Sequence, residues 1–309
     1  MSPSLRSMSV TPPGFRRQPG ETAAGSGHPS GVVISAPVRS HWPEYLIEAG
    51  CLALFMVSAA TFATLLQHPT SPWMLQTMPA FVARIPMGAA MGLTAIAIIY
   101  SPPGRRSGAH MNPAVTLTFL RLGKIGAVDA LAYVLAQFTG GLTGIAVATT
   151  VLWGLPADPS VHYVSTLPGA GGPAWAFVAE LLMSFGLMTV ILSMANHPRL
   201  APFTGLCAGG LVMTYITVAA PLSGMSMNPA RSFGPALLAG SFESLWIYFT
   251  APLLGMLGAA ELYVRRCGLA RVRCAKLHHG SGPCIFHSCV GAEAAPPPIA
   301  VRTFNEVSA

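Results

Sequence analysis

Charged residues are scarce in this chain. They make up 9% of its 309 residues, against roughly 25% in an ordinary soluble domain. No apolar run carries a nucleophile and a base at reactive spacing, and no nucleic-acid-binding motif accompanies the basic net charge. The sequence therefore argues against a soluble domain, an enzyme and a nucleic-acid-binding protein, and it implies no cofactor.

Hydrophobic residues make up 52% of the chain, and many of them stand in long, weakly polar runs. Each run is close to the ~20 residues that cross a hydrocarbon core as a helix. The first run starts too late and is too long to be a signal peptide. The sequence predicts six membrane spans, at residues 45–66, 80–100, 128–153, 174–195, 203–220 and 245–263.

Basic residues are distributed unevenly between the connections. If the N-terminus is placed inside, 15 of the 17 Lys and Arg residues fall on one side, and the connection 154–173 carries none. Because such residues mark the cytoplasmic side, both termini are predicted to be cytoplasmic. The net charge of +7 then reflects topology and attraction to anionic lipid. The excess of arginine over lysine is typical of a GC-rich bacterial genome, so we expect a bacterial cell membrane.

Composition divides the chain into three segments. Residues 1–41 are rich in Ser, Pro, Gly and Arg and show no apolar period, which predicts a disordered cytoplasmic tail. Residues 42–266 form the membrane domain, with a first repeat at 42–153 and a second at 173–266. Residues 267–309 form a cytoplasmic tail that contains Cys and His.

The two repeats share features at matching places. Glu48 lies in the first span and Glu180 in the fourth, and Asn-Pro-Ala follows both the second span, at 112–114, and the fifth, at 228–230. Neither copy contains a catalytic dyad, a thiolate pair or a lysine beside a glycine-rich loop. Because each half has three spans, the second half enters the membrane upside down, which predicts an inverted repeat.

A short apolar segment follows each Asn-Pro-Ala. Residues 113–122 and 229–238 are long enough for only about half of the hydrocarbon thickness. Asn at the N-cap and Pro at the first helical position are typical of a helix start. Two such half-helices would meet near the midplane around a shared lumen, since irregular backbone at that depth needs a cavity or protein around it. Their positive ends would repel cations and suit small polar solutes.

These residues resemble the aquaporin, or major intrinsic protein, family. The pattern Ser-Gly-Ala-His-Met-Asn-Pro-Ala-Val-Thr stands at 107–116 and Asn-Pro-Ala-Arg-Ser-Phe-Gly-Pro at 228–235, and the resemblance covers about 42–265. It implies an all-α membrane fold of six transmembrane helices plus two re-entrant half-helices, a passive channel for water or small uncharged solutes, and a homotetramer. The implied pore motif comprises Asn112, Pro113, Ala114, Asn228, Pro229 and Ala230.

A selectivity filter is expected beside the second motif. Arg231 lies one helical turn after Asn228 on the same face, so it should line the same lumen. The resemblance places Met91, Ile216 and Met225 at the other filter positions, although an ungapped count selects Gly92 instead of Met91. Phe and His, usual at two of these positions in strict water channels, are absent. This apolar filter is most similar to the nodulin-like branch and its bacterial relatives, which carry glycerol, urea or metalloid hydroxides.

Buried polar residues inside the spans need a separate role. The resemblance implies that Glu48 and Glu180 accept hydrogen bonds from the backbone of the re-entrant loops, with Gln137 and His110 as further structural support. The alternative is proton coupling by the two carboxylates, in a secondary transporter that shares the inverted-repeat architecture.

The C-terminal tail carries four cysteines and three histidines. Its composition permits a zinc site, but the paired Cys-x-x-Cys spacing is missing. We therefore expect a reduced and conformationally loose tail, with no metal. The candidates for the alternative, a metal site, are Cys274, His278, Cys284, His287 and Cys289.

Overall fold

The protein is all-helical in the part of the chain that the structure describes. The structure is a computed structural model that describes residues 35–75, 77–279, 284–287 and 289. Within these residues the α-helices are α1 (Ser35–Gln67), α2 (Ala80–Tyr100), α3 (Pro102–Ser107), α4 (Pro113–Arg121), α5 (Ala127–Val151), α6 (Gly172–Ala195), α7 (Thr204–Ser223), α8 (Pro229–Ala239) and α9 (Leu245–Cys267).

Six of these helices are long and apolar enough to cross a membrane: α1, α2, α5, α6, α7 and α9. The helices α4 and α8 have 9 and 11 residues. At ~1.5 Å per residue they span roughly half of a ~30 Å hydrocarbon core. The predicted fold class, six spans and two half-helices, is confirmed.

The six spans pack as pairs that follow the repeat. Helix α1 packs on α5 in the first half, α6 packs on α9 in the second, and α2 packs on α7 across the two halves. The α2–α7 crossing is close because small residues meet there: a Cβ on Gly92 would lie 2.7 Å from the Gly209 carbonyl oxygen. Each half-helix contacts both α5 and α9. The contact of α8 with α5 is more extensive than that of α4 with α5.

The first helix starts before residue 42, where the membrane domain was predicted to begin. Helix α1 begins at Ser35, inside the predicted tail 1–41, and His41 Nδ1 lies 2.8 Å from Asp129 Oδ1 of α5. This contact ties the start of α1 to the membrane domain. Residues 1–34 of the predicted tail lie outside the described residues.

The start of the C-terminal tail is packed rather than loose. We call residues 272–279, 284–287 and 289 the tail segment. Among its residues Val272, Cys274, Leu277 and Phe286 are buried against the membrane domain. The expectation of a loose tail is therefore wrong for this segment, because its apolar side chains find a buried surface at the end of the helical bundle. The rest of 280–309 lies outside the described residues.

Candidate pore

A cavity of about 300 Å³ runs along the α2–α7 pair. Its lining on α2 extends from Ala83 to Ile99, which at ~1.5 Å per residue is ~24 Å, most of a hydrocarbon core. Asn112 and Asn228 both line it, although each is more than nine-tenths buried. The two halves of the repeat therefore contribute one asparagine each to a single elongated cavity.

Each asparagine caps its own half-helix. The Asn112 side chain accepts a hydrogen bond from the Ala114 backbone N–H at 2.8 Å. Asn228 Oδ1 accepts hydrogen bonds from the N–H groups of Ala230 and Arg231, at 3.0 and 3.2 Å. Proline at the first helical position removes one donor that would otherwise need a partner.

The two asparagines also tie the two halves together. Asn112 Nδ2 donates to the Met227 carbonyl oxygen at 2.7 Å, and Asn228 Nδ2 donates to the Met111 carbonyl oxygen at 2.7 Å. An amide NH₂ group carries two N–H donors, and each of these contacts uses one. The second donor of each asparagine is thus held in a fixed direction beside the cavity.

The loops before the half-helices have an unusual backbone conformation. Ala109 and Met111 have φ of 53° and 49°, and Met225 and Met227 repeat this pattern with 49° and 55°. Left-handed backbone at a residue other than glycine costs on the order of 1–3 kcal/mol and persists only where its surroundings hold it. Each loop therefore needs external partners.

Glu48 supplies those partners to the first loop. Its Oε1 accepts hydrogen bonds from Ser107 Oγ and the His110 N–H, at 2.7 and 3.0 Å. Its Oε2 accepts from the Met111 N–H and from Gln137 Nε2, at 2.7 and 3.0 Å. The carboxylate is fully buried and is not part of the cavity lining.

Glu180 does the same for the second loop. It accepts hydrogen bonds from Ser223 Oγ, the Ser226 N–H and the Met227 N–H, at 2.7, 2.9 and 2.6 Å. It is also fully buried and lies outside the cavity lining. The matching bonding patterns place both acids behind the loops rather than in the path of a solute.

A pair of tyrosines supports the same loops, and our sequence analysis missed it. Tyr133 of α5 donates to the Ser107 carbonyl oxygen at 2.7 Å, and Tyr248 of α9 donates to the Ser223 carbonyl oxygen at 2.6 Å. The signal was available: Ala-Gln-Phe-Thr-Gly at 136–140 is echoed by Ala-Pro-Leu-Leu-Gly at 251–255, and each tyrosine stands three residues before its run.

His110 links the first loop to the tail segment. Its Nδ1 lies 3.0 Å from Thr116 Oγ1, and its Nε2 lies 2.8 Å from the Ala275 carbonyl oxygen. Its ring stacks on Phe119 and on Phe286. The contact with the tail segment was not expected from the sequence.

The residues predicted for the filter lie together around the cavity. Met91 of α2, Ile216 of α7 and Met225 of the second loop all line it with Arg231 of α8. Gly92, the alternative to Met91, instead faces α7 at the helix crossing. The side chain available to the cavity at this level of α2 is therefore that of Met91.

Arg231 is oriented by a loop outside the motif. Its Nη1 donates to the Val164 carbonyl oxygen at 2.8 Å. Val164 belongs to a short turn of left-handed residues, His162 to Val164, with φ between 47° and 54°. A second arginine, which sequence analysis missed, lines the cavity: Arg84 near the start of α2, whose Nε donates to the Thr217 carbonyl oxygen at 2.9 Å.

The metal candidates of the tail separate in space. The sulfur atoms of Cys274, Cys284 and Cys289 lie within 4.8 Å of one another. Cys274 and Cys284 share a hydrogen bond at 3.6 Å, and this bond lowers the pKa of Cys284 below its usual range. The other two candidates are not part of this group: the His278 ring packs on Tyr100, and the His287 imidazole lies beside Gly126, where a Cβ would be 3.6 Å from its Nε2.

Comparison with known proteins places this arrangement in a family. The sequence matches the model described as "Major intrinsic protein" over residues 40–263. The chain belongs to this family. It is 36% identical to Aquaporin NIP1-2 of Arabidopsis thaliana over 224 residues, which cover 71% of this chain and 69% of the relative. It is 36% identical to Nodulin-26 of Glycine max over 173 residues, 56% of this chain and 62% of the relative.

A solved structure shows the same fold. The aquaglyceroporin from Plasmodium falciparum superposes with a TM-score of 0.60 over 74% of this chain and 98% of its own, at 20% identity. Family membership and fold together confirm the predictions of an aquaporin-type, multi-pass membrane channel that is not an enzyme, with relatives in the nodulin-like branch.

Proposed function

We propose that this chain conducts water and small uncharged solutes passively through the cavity between its two halves, with Asn112 and Asn228 at its centre. The observation that carries the proposal is a pair of reciprocal hydrogen bonds between the two halves. Asn112 Nδ2 donates to the Met227 carbonyl oxygen and Asn228 Nδ2 donates to the Met111 carbonyl oxygen, both at 2.7 Å. These bonds fix two amide groups beside one cavity. A solute with a hydroxyl or carbonyl oxygen can accept a hydrogen bond from the second N–H of either asparagine side chain.

Electrostatics favour neutral solutes over cations and protons. The N-termini of α4 and α8 each present about half a positive charge near the asparagines, and Arg231 adds a full charge to the lining. No acidic side chain is among the described residues that line the cavity. A cation entering this path therefore meets a positively charged side chain and two positive helix ends, with no acidic side chain in the described lining to offset them.

The filter favours solutes that combine polar and apolar surface. Met91, Ile216 and Met225 offer flexible apolar contacts, and the guanidinium of Arg231 keeps donors beyond the one bound to Val164. Glycerol, urea and metalloid hydroxides have this character, and one protein of the same fold is an aquaglyceroporin.

The positions of Glu48 and Glu180 weigh against a proton-coupled transporter. Each carboxylate is buried behind a loop and holds two backbone N–H groups of that loop. A proton carrier must exchange its proton with the solution on each cycle, which would break these bonds. We assign both acids, with Gln137 and His110, to support of the loops.

Topology and assembly complete the proposal. We place both termini in the cytoplasm on the charge bias of the connections, and we expect a homotetramer in which each chain holds its own cavity, as the family implies. The expectation of a bacterial membrane rests on the arginine excess alone, and the plant relatives do not support it.

A stopped-flow comparison tests the function. The full chain is reconstituted in liposomes under reducing conditions with a chelator, and water, glycerol and urea entry is followed by light scattering. We expect water and at least one of the two solutes to enter faster than in empty liposomes, linearly with solute concentration and unchanged by a proton gradient. Saturation with acid stimulation would instead indicate a transporter.

A further inference from the structure

The tail segment closes one end of the cavity. Leu277 lines the cavity, and its N–H donates to the Gly108 carbonyl oxygen at 3.2 Å. Phe286 lies so close to Gly108 that a Cβ there would be 2.9 Å from its ring. An apolar side chain and an aromatic ring thus cover the loop that leads into the first Asn-Pro-Ala motif.

Three more contacts fasten this segment to the connections at the same end of the bundle. His110 Nε2 contacts the Ala275 carbonyl oxygen at 2.8 Å, and the His287 N–H donates to the Lys124 carbonyl oxygen at 2.9 Å. The Arg273 N–H donates to Asn196 Oδ1, after α6, at 2.8 Å. The tail segment therefore bridges connections of both halves of the repeat.

The tail segment contains little that would hold it in this form by itself. Beyond the short turn at Leu269–Arg271 its described residues form no helix or strand. Its position depends on packing and on the few hydrogen bonds to the bundle, and a cross-link within the segment would add to them. Cys274, Cys284 and Cys289, which are ten and five residues apart, are the side chains that could form one.

The geometry of the sulfur atoms fits a metal. A tetrahedral zinc ion with Zn–S bonds of about 2.3 Å places its sulfur ligands about 3.8 Å apart. The Cys274 and Cys284 sulfurs are 3.6 Å apart, and Cys289 lies within 4.8 Å of both. His279 Nδ1 lies 4.0 Å from Cys289 Sγ but outside the group of three sulfurs, so its imidazole would have to move toward them to become the fourth ligand. Three thiolates and one imidazole are a common set for structural zinc.

We propose that this cluster binds one thiophilic divalent metal ion such as Zn²⁺, and that the bound metal fastens the tail segment over the cavity and slows solute entry. The ligands are Cys274, His279, Cys284 and Cys289. The effect on solute entry rests on the proposed channel function, whereas the metal site does not. His279 takes the place of His278 and His287, the histidines named among the sequence candidates.

Metal binding is tested first on the full chain, purified in detergent with reductant. After removal of bound metal, Zn²⁺ is titrated against a chromophoric competitor, and Co²⁺ is added as a spectroscopic probe. We expect about one ion per chain and the absorption of tetrahedral cobalt–thiolate. The variant C274S/C284S/C289S should lose both signals. Cys267→Ser is the matched control, because Cys267 is an exposed cysteine at the end of α9 outside the cluster.

Two outcomes would overturn the metal site. One is a zinc titration that finds the same number of bound ions per chain in the triple variant as in the parent, including none in both. The other is a disulfide between Cys274 and Cys284, detected by mass after alkylation of protein purified without reductant, since oxidised sulfurs do not bind zinc. A weaker affinity in His279→Ala would support the imidazole ligand, and an unchanged one would exclude it.

Control of entry is tested by stopped flow with the same proteins in liposomes. Zinc should lower permeability severalfold in the parent and in Cys267→Ser, and it should have no effect on the triple variant. Leu277→Ala should still bind zinc but lose much of the inhibition, because the side chain that lines the cavity is gone. Equal permeability of the parent with zinc and with chelator would refute the control of entry. If no variant conducts above empty liposomes, the channel function fails while the stoichiometry still decides the metal site.

Discussion

Replacement of Glu48 tests the main structural idea, that a buried carboxylate holds the first re-entrant loop in its left-handed form. In Glu48→Leu the backbone N–H groups of His110 and Met111 lose their acceptor. A buried donor without a partner costs about 1–3 kcal/mol, so these two cost about 2–6 kcal/mol. Ser107 and Gln137 also lose one hydrogen bond each. We expect Glu48→Leu to fold or insert poorly.

Glu48→Gln should be much milder. The amide oxygen can still accept from Ser107 and His110, whereas the NH₂ group faces two donors, the Met111 N–H and Gln137 Nε2. The Gln137 amide can turn over and present its oxygen, so the bond from Met111 is the one that is lost, at roughly 1–3 kcal/mol. We expect a lower thermal midpoint and flux close to that of the parent. Glu261→Gln is the matched control, because its ion pair with Arg121 is solvent-exposed and worth only about 0–1 kcal/mol.

The assay joins stability to transport. Each variant is heated in detergent, and the fraction that still elutes as a monodisperse peak is measured. Samples that remain folded are then compared by stopped flow at several pH values. A Glu48→Leu protein as stable and permeable as the parent would show that the loop does not depend on the carboxylate. A folded Glu48→Gln protein that has lost an acid-stimulated flux would show proton coupling.

Three further predictions follow from the site. Asn228→Leu removes a cap worth about 1 kcal/mol and a lumen donor, so solute flux should fall in protein that still inserts, and normal flux would exclude the pore role. The double variant of Met91→Phe and Ile216→His adds an aromatic wall and a polar group near Arg231, so its glycerol-to-water permeability ratio should fall; a rise would refute the wide apolar filter. Tyr133→Phe loses one buried hydrogen bond to a loop and should lower stability by about 0.5–1.5 kcal/mol, measured by the same heating assay, and an unchanged midpoint would contradict that role.

Much of the fold could be predicted from the sequence because its signals are local. A membrane span is recognised from about 20 consecutive residues, and the prediction for 80–100 matches α2 residue for residue. The half-helix starts were also predictable, because the N-cap asparagine accepts a hydrogen bond from an N–H group two residues further along. The proline between them has no N–H of its own that would need a partner. The short helix α3 was missed, since only six residues and a Ser101 cap define it.

The arrangement of the site could be predicted only in part. Internal repetition marks Glu48, Glu180 and the two asparagines, and it also marks Tyr133 and Tyr248, which stand three residues before matching runs in the two halves. The choice between Met91 and Gly92 depended on one extra residue in the connection after α2. Counting along the chain cannot resolve such an insertion, whereas the packing of Gly92 on α7 does.

The sequence by itself determined the number of spans, the inverted repeat and the caps, because each depends on hydrophobicity or hydrogen bonding within a few residues. Only the tertiary structure decided which groups meet across the repeat. The bond from Asn112 to Met227 joins positions 115 residues apart, and the contact from His110 to Ala275 joins positions 165 apart. Contacts over such separations depend on how whole helices pack, and no local pattern encodes that.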